Sequence, residues 1–288
     1  MPKRRKAVPL IPPNHPSRKQ ARRITTLFHK YTRQLDAARA NGEQEKVETL
    51  ERNIVEMGGR PAYQRASQVS TSYFSTSKKW VLGVLGRNGW LHGIKVNGDV
   101  TTGERKKPRR VTRLLEIGAI NTDLVVDATQ KYPLLSVRAI DLNSMHPAIE
   151  EADFLQLPLE ATFDVLVCSM VLNCVTTASD RGRMMLRLSY FLDNNGILFL
   201  TIPKSCLSLA SYMSKERFQE ILKDCGFEIT ESNETPKISF FQCKKVANPS
   251  DNIATKWNVA TSLYRGKKYR NDFAVTFNTK DLQITAQK

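Results

Sequence analysis

Residues 113–119, RLLEIGA, and residues 137–142, VRAIDL, decide the fold, because each is a short apolar run that stops at a turn-forming or acidic residue. A third run, FDVLVCSMVL at 163–172, is almost continuously apolar, as is typical of a parallel strand buried on both faces. Helical stretches separate the runs, and this alternation predicts a mostly parallel, doubly wound α/β sheet. Further strands are expected in AIEEADFLQLP (148–158), ILFLTI (197–202) and KISFFQCKK (237–245).

Upstream of the sheet, apolar residues recur with the period of a helix. Asn41 and Gly42 interrupt the first stripe, and a second stripe stops at 58–61, GGRP. Two amphipathic stripes separated by a breaker predict a helical hairpin. The two stripes consist of Ile24, Leu27, Phe28, Tyr31 and Leu35, and of Val47, Leu50, Ile54 and Met57.

The chain is thus expected to have five parts. A proline-rich and basic leader is predicted to be disordered, and a helical segment that binds RNA or a partner follows it. A polar basic linker precedes the α/β core, and a basic extension with a strand at 274–277 follows the core. The predicted bounds are 1–16, 17–96, 97–112, 113–246 and 247–288, respectively.

Charge is distributed unevenly along the chain. Between Leu114 and Glu234 there are nine Lys and Arg against 17 Asp and Glu, whereas the remainder holds 35 basic and 11 acidic residues. Ten basic residues and no acidic one lie between Met1 and Leu35. Cationic flanks around an acidic core favour a polyanionic partner, with nucleic acid ahead of a membrane surface. RNA contacts are expected from Arg18, Lys19, Arg22 and Arg23, from 105–110, and from Arg265, Lys267, Lys268 and Arg270.

Several classes of protein are disfavoured. No apolar run is long enough to span a bilayer and no signal peptide is evident, so we expect a soluble, intracellular protein without a membrane partner. The five cysteines are scattered and form no C-x-x-C pair, so we expect reduced thiols and no metal site. The KRRK cluster at 3–6 resembles a nuclear import signal. A monomer is the default expectation.

The ligand site is predicted at the ends of the first strands. Gly118 allows close approach of a ligand to the backbone, and Asp141 can accept both hydroxyls of a ribose. Asp153 and Phe154 offer a carboxylate and a ring for an adenine. Each residue alone also suits a sheet without a ligand, but their order favours an adenosine group. The missing G-x-G-x-x-G pattern disfavours NAD and FAD, so the predicted cofactor is S-adenosylmethionine.

These segments, in this order, also resemble a known family, the fungal 25S (large-subunit) rRNA adenine-N(1)-methyltransferases. The resemblance rests on LLEIGAIN, VRAIDLN, ADFLQLP, FDVLVCSMVLNCV and GILFLTIPKSCL, and extends to YQRASQVSTSYFSTSKKW upstream and YRGKKYRNDF downstream. It implies a class I Rossmann-like methyltransferase with a seven-stranded sheet. It also implies a nucleolar enzyme of ribosome biogenesis acting on large-subunit rRNA or a pre-ribosome. Gly118 and Asp141 match the family's cofactor-binding positions, and Asp153 and Phe154 match the adenine-binding pair.

The chemistry leaves alternatives open. The D/N-P-P-Y loop of exocyclic-amine methyltransferases is absent, and Ser169 or Asn173 is the candidate that orients the target base, although an ordinary strand end and helix cap would look the same. No Pro-Cys nucleophile motif is present. A related animal protein is a non-catalytic S-adenosylmethionine sensor, so a sensor that binds a protein partner, or a methyltransferase acting on protein, remains the alternative.

Overall fold

The computed structural model describes residues 18–68, 74–95, 109–144 and 146–283. Contacts divide the chain into two compact units, with the boundary between Tyr73 and Phe74.

The first unit contains three helices, α1 (Arg18–Ala40), α2 (Gln44–Glu56) and α3 (Gly59–Gln68). Gly42, with a φ of +70°, turns the chain between α1 and α2. Leu35 and Ala38 of α1 are buried with Val47 and Leu50 of α2. The helical hairpin that the sequence predicts is therefore confirmed, and α3 adds to it through a stacked pair of rings, Phe28 and Tyr63, whose centroids are 4.6 Å apart.

The second unit is built on a seven-stranded sheet. A small antiparallel pair, β1 (Ile94–Lys95) and β2 (Arg109–Arg110), precedes it. In spatial order the sheet is β5-β4-β3-β6-β7-β9-β8, in which β9 runs antiparallel to both neighbours and the other strand pairs are parallel. Its strands are β3 (Thr112–Ile117), β4 (Leu135–Asp141), β5 (Glu150–Glu151), β6 (Phe163–Ser169), β7 (Leu192–Pro203), β8 (Phe227–Glu234) and β9 (Ile238–Lys245).

Helices cover both faces of this sheet. Short 3-10 turns lie at Trp90–His92 and Leu172–Cys174, and a π-helical turn lies at Asp123–Ala128. Ser214 accepts a hydrogen bond from the N–H of Arg217 and so caps the helix that begins at Lys215. The helices are α4 (Phe74–Arg87), α5 (Thr129–Lys131), α6 (Ala178–Phe191), α7 (Ser205–Ser208), α8 (Lys215–Asp224), α9 (Ile253–Lys256) and α10 (Thr279–Gln283).

Helix α4 packs on the sheet, which the sequence did not predict. Its residues Val81 and Leu85 are fully buried in one cluster with Val165 and Val167 of β6. Trp80 meets the ring of Phe199 edge-on, with the centroids 4.9 Å apart. The helical segment assigned to 17–96 is therefore divided, and its last helix belongs to the α/β unit.

The C-terminal extension also belongs to the core. Residues 274–277, expected as a strand, are buried without forming one. Their backbone instead bonds to neighbouring elements, since the N–H of Thr276 donates to Ala178 and that of Phe277 to Trp257. The buried guanidinium of Arg181 donates to the carbonyl of Ala274. The α/β unit thus continues well past residue 246.

No helix among the described residues combines the length and apolar character needed to cross a bilayer. Within the same residues, no group of three or more His, Cys, Asp or Glu side chains could hold a metal ion. All five cysteines are free thiols.

Candidate cofactor and substrate site

Three strand ends meet where the strand order reverses. Ile117 of β3 pairs with Ile140 of β4 on one side and with Cys168 of β6 on the other. The next residue of each strand therefore lies at the same level, which places Gly118 between Asp141 and Ser169. The sequence predicted a ligand site at this edge, and in open α/β sheets ligands bind at such a switch point.

Gly118 has a backbone conformation that few other residues adopt. Its φ is +72°, and its N–H donates to the carbonyl of Ile140 at 2.8 Å. A Cβ atom at this position would lie 2.4 Å from Cγ2 of Val171. Packing against Val171 therefore demands glycine here, whether or not a ligand also approaches the backbone.

Asp141 ends β4 beside Gly118, as predicted. Its Oδ1 accepts a hydrogen bond of 2.9 Å from the N–H of Asn143, which fixes the carboxylate at the strand end. A carboxylate held in this way can accept hydrogen bonds from vicinal ribose hydroxyls. The assignment of Asp141 to the ribose remains a prediction.

Asp153 and Phe154 separate in the structure. Asp153 is exposed, and its Oδ1 accepts from the N–H of Leu155 at 2.9 Å. The ring of Phe154 is only 3% exposed. It packs against Phe191, with the centroids 5.1 Å apart, and under the guanidinium of Arg187. The ring is part of the core, so the structure does not support its prediction as a free stacking face for adenine.

A cleft opens at the ends of β3 and β6. Charged and polar side chains line it together with Gly118; they are Lys78, Glu116, Asn121, Asp123 and Ser169. Asp141, Asp153 and Phe154 do not line this cleft. It therefore lies on the β6 side of Gly118, away from the residues predicted to hold the ribose and adenine.

Glu116 is a candidate functional residue that was not predicted from the sequence. Its Oε2 atom is buried and has no hydrogen-bond partner within the described residues. Burial, together with the nearby charge of Asp123, raises the pKa of this carboxyl group to about 8. A buried carboxyl group without a partner is costly and is often found at functional sites. The signal in the sequence that could have indicated Glu116 is an acidic residue between two apolar ones, Leu115 and Ile117, in a predicted strand.

The segment after β6 contains a second unusual geometry. Met170 has a φ of +61°, a conformation that is rare outside glycine. Asn173 follows in the 3-10 turn, and its Oδ1 is buried without a hydrogen-bond partner among the described residues. The hydroxyl of Ser169 lies 3.4 Å from that of Thr201 on β7. The two predicted substrate-orienting residues thus flank a strained turn.

The residues predicted to contact RNA differ in their exposure and in their contacts. Lys19, Arg22 and Arg23 are exposed on α1, whereas 105–108 and the side chain of Arg18 lie outside what the structure describes. Arg109 donates to three carbonyls of the preceding turn, those of Gly89, His92 and Gly93.

Arg110 also uses its guanidinium within the protein. It forms two hydrogen bonds to Asp164, of 2.5 and 2.7 Å, and the Asp164 side chain is 2% exposed. Arg109 and Arg110 therefore stabilise the fold, and the structure does not support their prediction as RNA contacts.

The basic turn, which we define as residues 263–270, remains open to solvent apart from the half-buried Tyr269. The N–H groups of Leu263 and Tyr264 donate to the carbonyl of Ser211, and the hydroxyl of Ser211 donates to the carbonyl of Tyr269. The rings of Tyr264 and Tyr269 stack with centroids 4.7 Å apart. Exposed cations on an anchored turn suit a phosphate backbone.

The strand order, with a reversed last strand and a site at the switch point, defines the Rossmann-like fold of the class I methyltransferases. The chain belongs to the Bmt2 family, described as 25S rRNA (adenine(2142)-N(1))-methyltransferase, whose model matches residues 48–275.

Two curated proteins are similar to the chain. A 25S rRNA (adenine(2142)-N(1))-methyltransferase of Saccharomyces cerevisiae is 30% identical over 130 residues, 44% of this chain and 38% of that protein. A 25S rRNA adenine-N(1) methyltransferase of Schizosaccharomyces pombe is 28% identical over 209 residues, 68% of this chain and 70% of that protein. The match thus spans less than half of the first relative and about two thirds of the second.

A solved structure shows a weaker likeness. An S-adenosylmethionine-dependent methyltransferase from Clostridium acetobutylicum has 10% identity and a TM-score of 0.44, over 64% of this chain and 99% of that one. The assignment of the fold rests on the strand order of the chain itself.

Proposed function

We propose that this protein transfers a methyl group from S-adenosylmethionine to N1 of an adenine in large-subunit ribosomal RNA, on the free rRNA or within a pre-ribosome. The match to the family model over residues 48–275 carries the proposal, because that span includes all seven strands of the sheet and the cleft.

The residues of the cleft fit the cofactor. Its amino-acid end carries an ammonium group, and the buried Oε2 of Glu116 lacks a hydrogen-bond partner among the described residues. An ammonium group would satisfy that oxygen and favour its charged form. Asp141 would hold the ribose hydroxyls, and Asp153 the amino group of the adenine. When bound, the cofactor supplies a methyl group on a positively charged sulfur.

The chain must then align the target base. Adenine N1 has an in-plane lone pair, so the reaction requires no residue to remove a proton first. Alignment alone can contribute on the order of 7–11 kcal/mol. The buried Oδ1 of Asn173 is suited to accept a hydrogen bond from the exocyclic amino group, and Ser169 lies at the adjacent strand end. These two residues would orient the base rather than act as bases.

Exposed cations would bind the phosphates of the RNA. N1 lies on the Watson–Crick edge, so the target adenine must be unpaired or extruded. The basic turn is tied to Ser211, which follows β7 and α7, so its position relative to these elements is fixed. Lys19, Arg22 and Arg23 of α1 would supply further phosphate contacts. For such a substrate we propose a nucleolar location, and we propose a monomer as the active form.

Incubation with labelled cofactor tests the proposal when either total RNA or total protein is the acceptor. We expect label in large-subunit rRNA, and mass spectrometry of the digested RNA should identify the labelled product as N1-methyladenine. Label in protein, or cofactor binding without transfer to any acceptor, would support a protein methyltransferase or a sensor instead and would refute it.

A matched pair of variants tests the alignment role. Asn173→Ala should lower the turnover number with cofactor affinity unchanged, whereas Asn88→Ala, at an exposed position after α4, should alter neither. Full turnover in Asn173→Ala would remove this residue from the proposed site.

A further inference from the structure

Helix α4 lies before the first strand of the sheet in the chain, yet it contributes a side chain to the cleft. Lys78 lines the cleft together with Glu116 and Gly118. Its Nζ lies 3.1 Å from Oδ2 of Asp127 and 3.6 Å from Oδ1 of Asp123, and its side chain is 26% exposed. The two carboxylates hold the ammonium of Lys78 in place over the π-helical turn.

The position of the cleft indicates which part of the cofactor it would receive. Asp141, the residue predicted to hold the ribose, lies on the opposite side of Gly118 from β6 and does not line the cleft. With the adenosyl group on the Asp141 side, the cleft is left for the amino-acid end, which carries one ammonium and one carboxylate.

The charges in the cleft match these two groups. Glu116 and Asp123 form an acidic pair, and Lys78 is the cation among the described residues that line the cleft. A carboxylate that leaves water requires a hydrogen-bond donor of opposite charge, since burial of an unpaired ion is costly. Glu116 would repel this carboxylate if ionised, so Lys78 is the residue suited to receive it.

We propose that the Nζ atom of Lys78 binds the carboxylate of the methionine group of the cofactor, so that helix α4 forms part of the cofactor site. This inference rests on the proposed cofactor and extends its site beyond the strand ends. Lys78 carries its positive charge in the free protein, where Asp127 and Asp123 hold it at the cleft. Burial lowers the pKa of Lys78, but the hydrogen bonds and charges of Asp127 and Asp123 outweigh burial and raise it above the ordinary value.

Calorimetry with two ligands tests the inference. Decarboxylated S-adenosylmethionine retains the ammonium and the sulfonium and lacks only the carboxylate. Lys78→Met should weaken binding of S-adenosylmethionine by about 10–100-fold, the range of a charged hydrogen bond, and leave binding of the decarboxylated ligand unchanged. Lys79→Met is the matched control, because Lys79 is exposed on the same helix, and it should bind both ligands as the wild type does.

A third variant separates charge from packing. Lys78→Arg keeps a cation and should recover part of the affinity for S-adenosylmethionine, with thermal unfolding measured for each variant to show that α4 stays folded. Equal losses on both ligands, or no loss on either, would overturn the inference while the cofactor site stands. If the wild-type protein binds neither ligand, the proposed cofactor fails, and the role of Lys78 fails with it.

Discussion

Gly118 and Val171 are packed so closely that a single methyl group at Gly118 would lie 2.4 Å from Cγ2 of Val171. Val171 lies two residues beyond β6, whereas Gly118 directly follows β3, so this contact joins the cofactor side of the site to the segment proposed to orient the base. A bulky substitution of Gly118 would therefore disturb folding as well as binding, and a cleaner test of the cofactor site is Asp141→Ala or a substitution of Glu116.

Gly118→Ala should destabilise the α/β unit for two separable reasons. The left-handed backbone costs a residue with a Cβ roughly 1–2 kcal/mol, and the clash with Val171 adds about 1–3 kcal/mol of overpacking. Val171→Ala removes the Cγ2 atom, so the double variant should recover the overpacking part. Urea unfolding of the single and double variants gives the coupling between the two sites.

The control for this cycle is Gly42→Ala. Gly42 has a φ of +70°, close to the +72° of Gly118, but a Cβ there meets nothing within 4 Å. Gly42→Ala should therefore lose only the stability that the left-handed backbone conformation costs. A purely additive cycle at Gly118 and Val171 would show that the packing between them contributes nothing.

The elements that position the site follow from local patterns in the sequence. Apolar runs such as 163–172 predicted the parallel strands, and Gly118 and Asp141 were predicted at strand ends because turn-forming and acidic residues follow those runs. Strand β8 was missed, because its residues from Glu228 to Glu234, apart from Ile229, are polar and mostly exposed at the sheet edge. The period of two that identifies a half-buried strand is weak there.

The part of the site that the sequence did not predict depends on long-range packing. Lys78 reaches the cleft only because α4 packs on β6 and β7, and the guanidinium of Arg110 is bound by the buried Asp164, 54 positions further along the chain. Phe154 is buried by Phe191 of α6. No local pattern reveals these long-range contacts, so the charge or aromatic character of a residue alone could not predict what its side chain would contact.

Glu116→Gln should make the ligand-free protein more stable at neutral and alkaline pH. Burial raises the pKa of Glu116 to about 8 in the folded protein, against an ordinary value of 4.5. The folded state therefore binds this proton more tightly than the unfolded state does. The contribution of Glu116 to the stability of the wild type is largest below pH 4.5, falls as the pH rises towards 8 and does not change above it. The variant lacks this loss, which amounts to a few kcal/mol in all.

Thermal unfolding of wild type and Glu116→Gln from about pH 4 to about pH 9 measures this difference. Glu228→Gln serves as the control, because Glu228 is exposed on β8. The gain for Glu116→Gln should grow with pH, and its affinity for S-adenosylmethionine should fall. A gain that does not change with pH would show that the Glu116 carboxyl is not forced into its neutral form by burial.

Lys267→Ala combined with Lys268→Ala should weaken RNA binding and reduce its salt dependence. Both side chains are exposed on the basic turn. Removing one cation from a phosphate should lower the slope of log K against log salt by about 0.7 for single-stranded RNA. Filter binding across a salt series measures this slope. Lys223→Ala, on the exposed face of α8, should leave the slope unchanged, and an unaltered slope in the double variant would exclude the basic turn from the interface.

Arg110→Ala should lower stability and leave the salt dependence of RNA binding as it is, the reverse of the lysine pair. The guanidinium of Arg110 donates twice to Asp164, whose remaining hydrogen bond comes from the backbone N–H of Arg113. Because Asp164 is 2% exposed, removing Arg110 leaves a buried carboxylate with incomplete pairing. Breaking a fully buried pair costs about 3–5 kcal/mol, and Arg110 itself is 44% exposed, so about 2–3 kcal/mol is expected. Urea unfolding measures the loss of stability, and the same salt series measures the salt dependence of RNA binding. A reduced slope of log K against log salt, with stability unchanged, would show that Arg110 binds RNA.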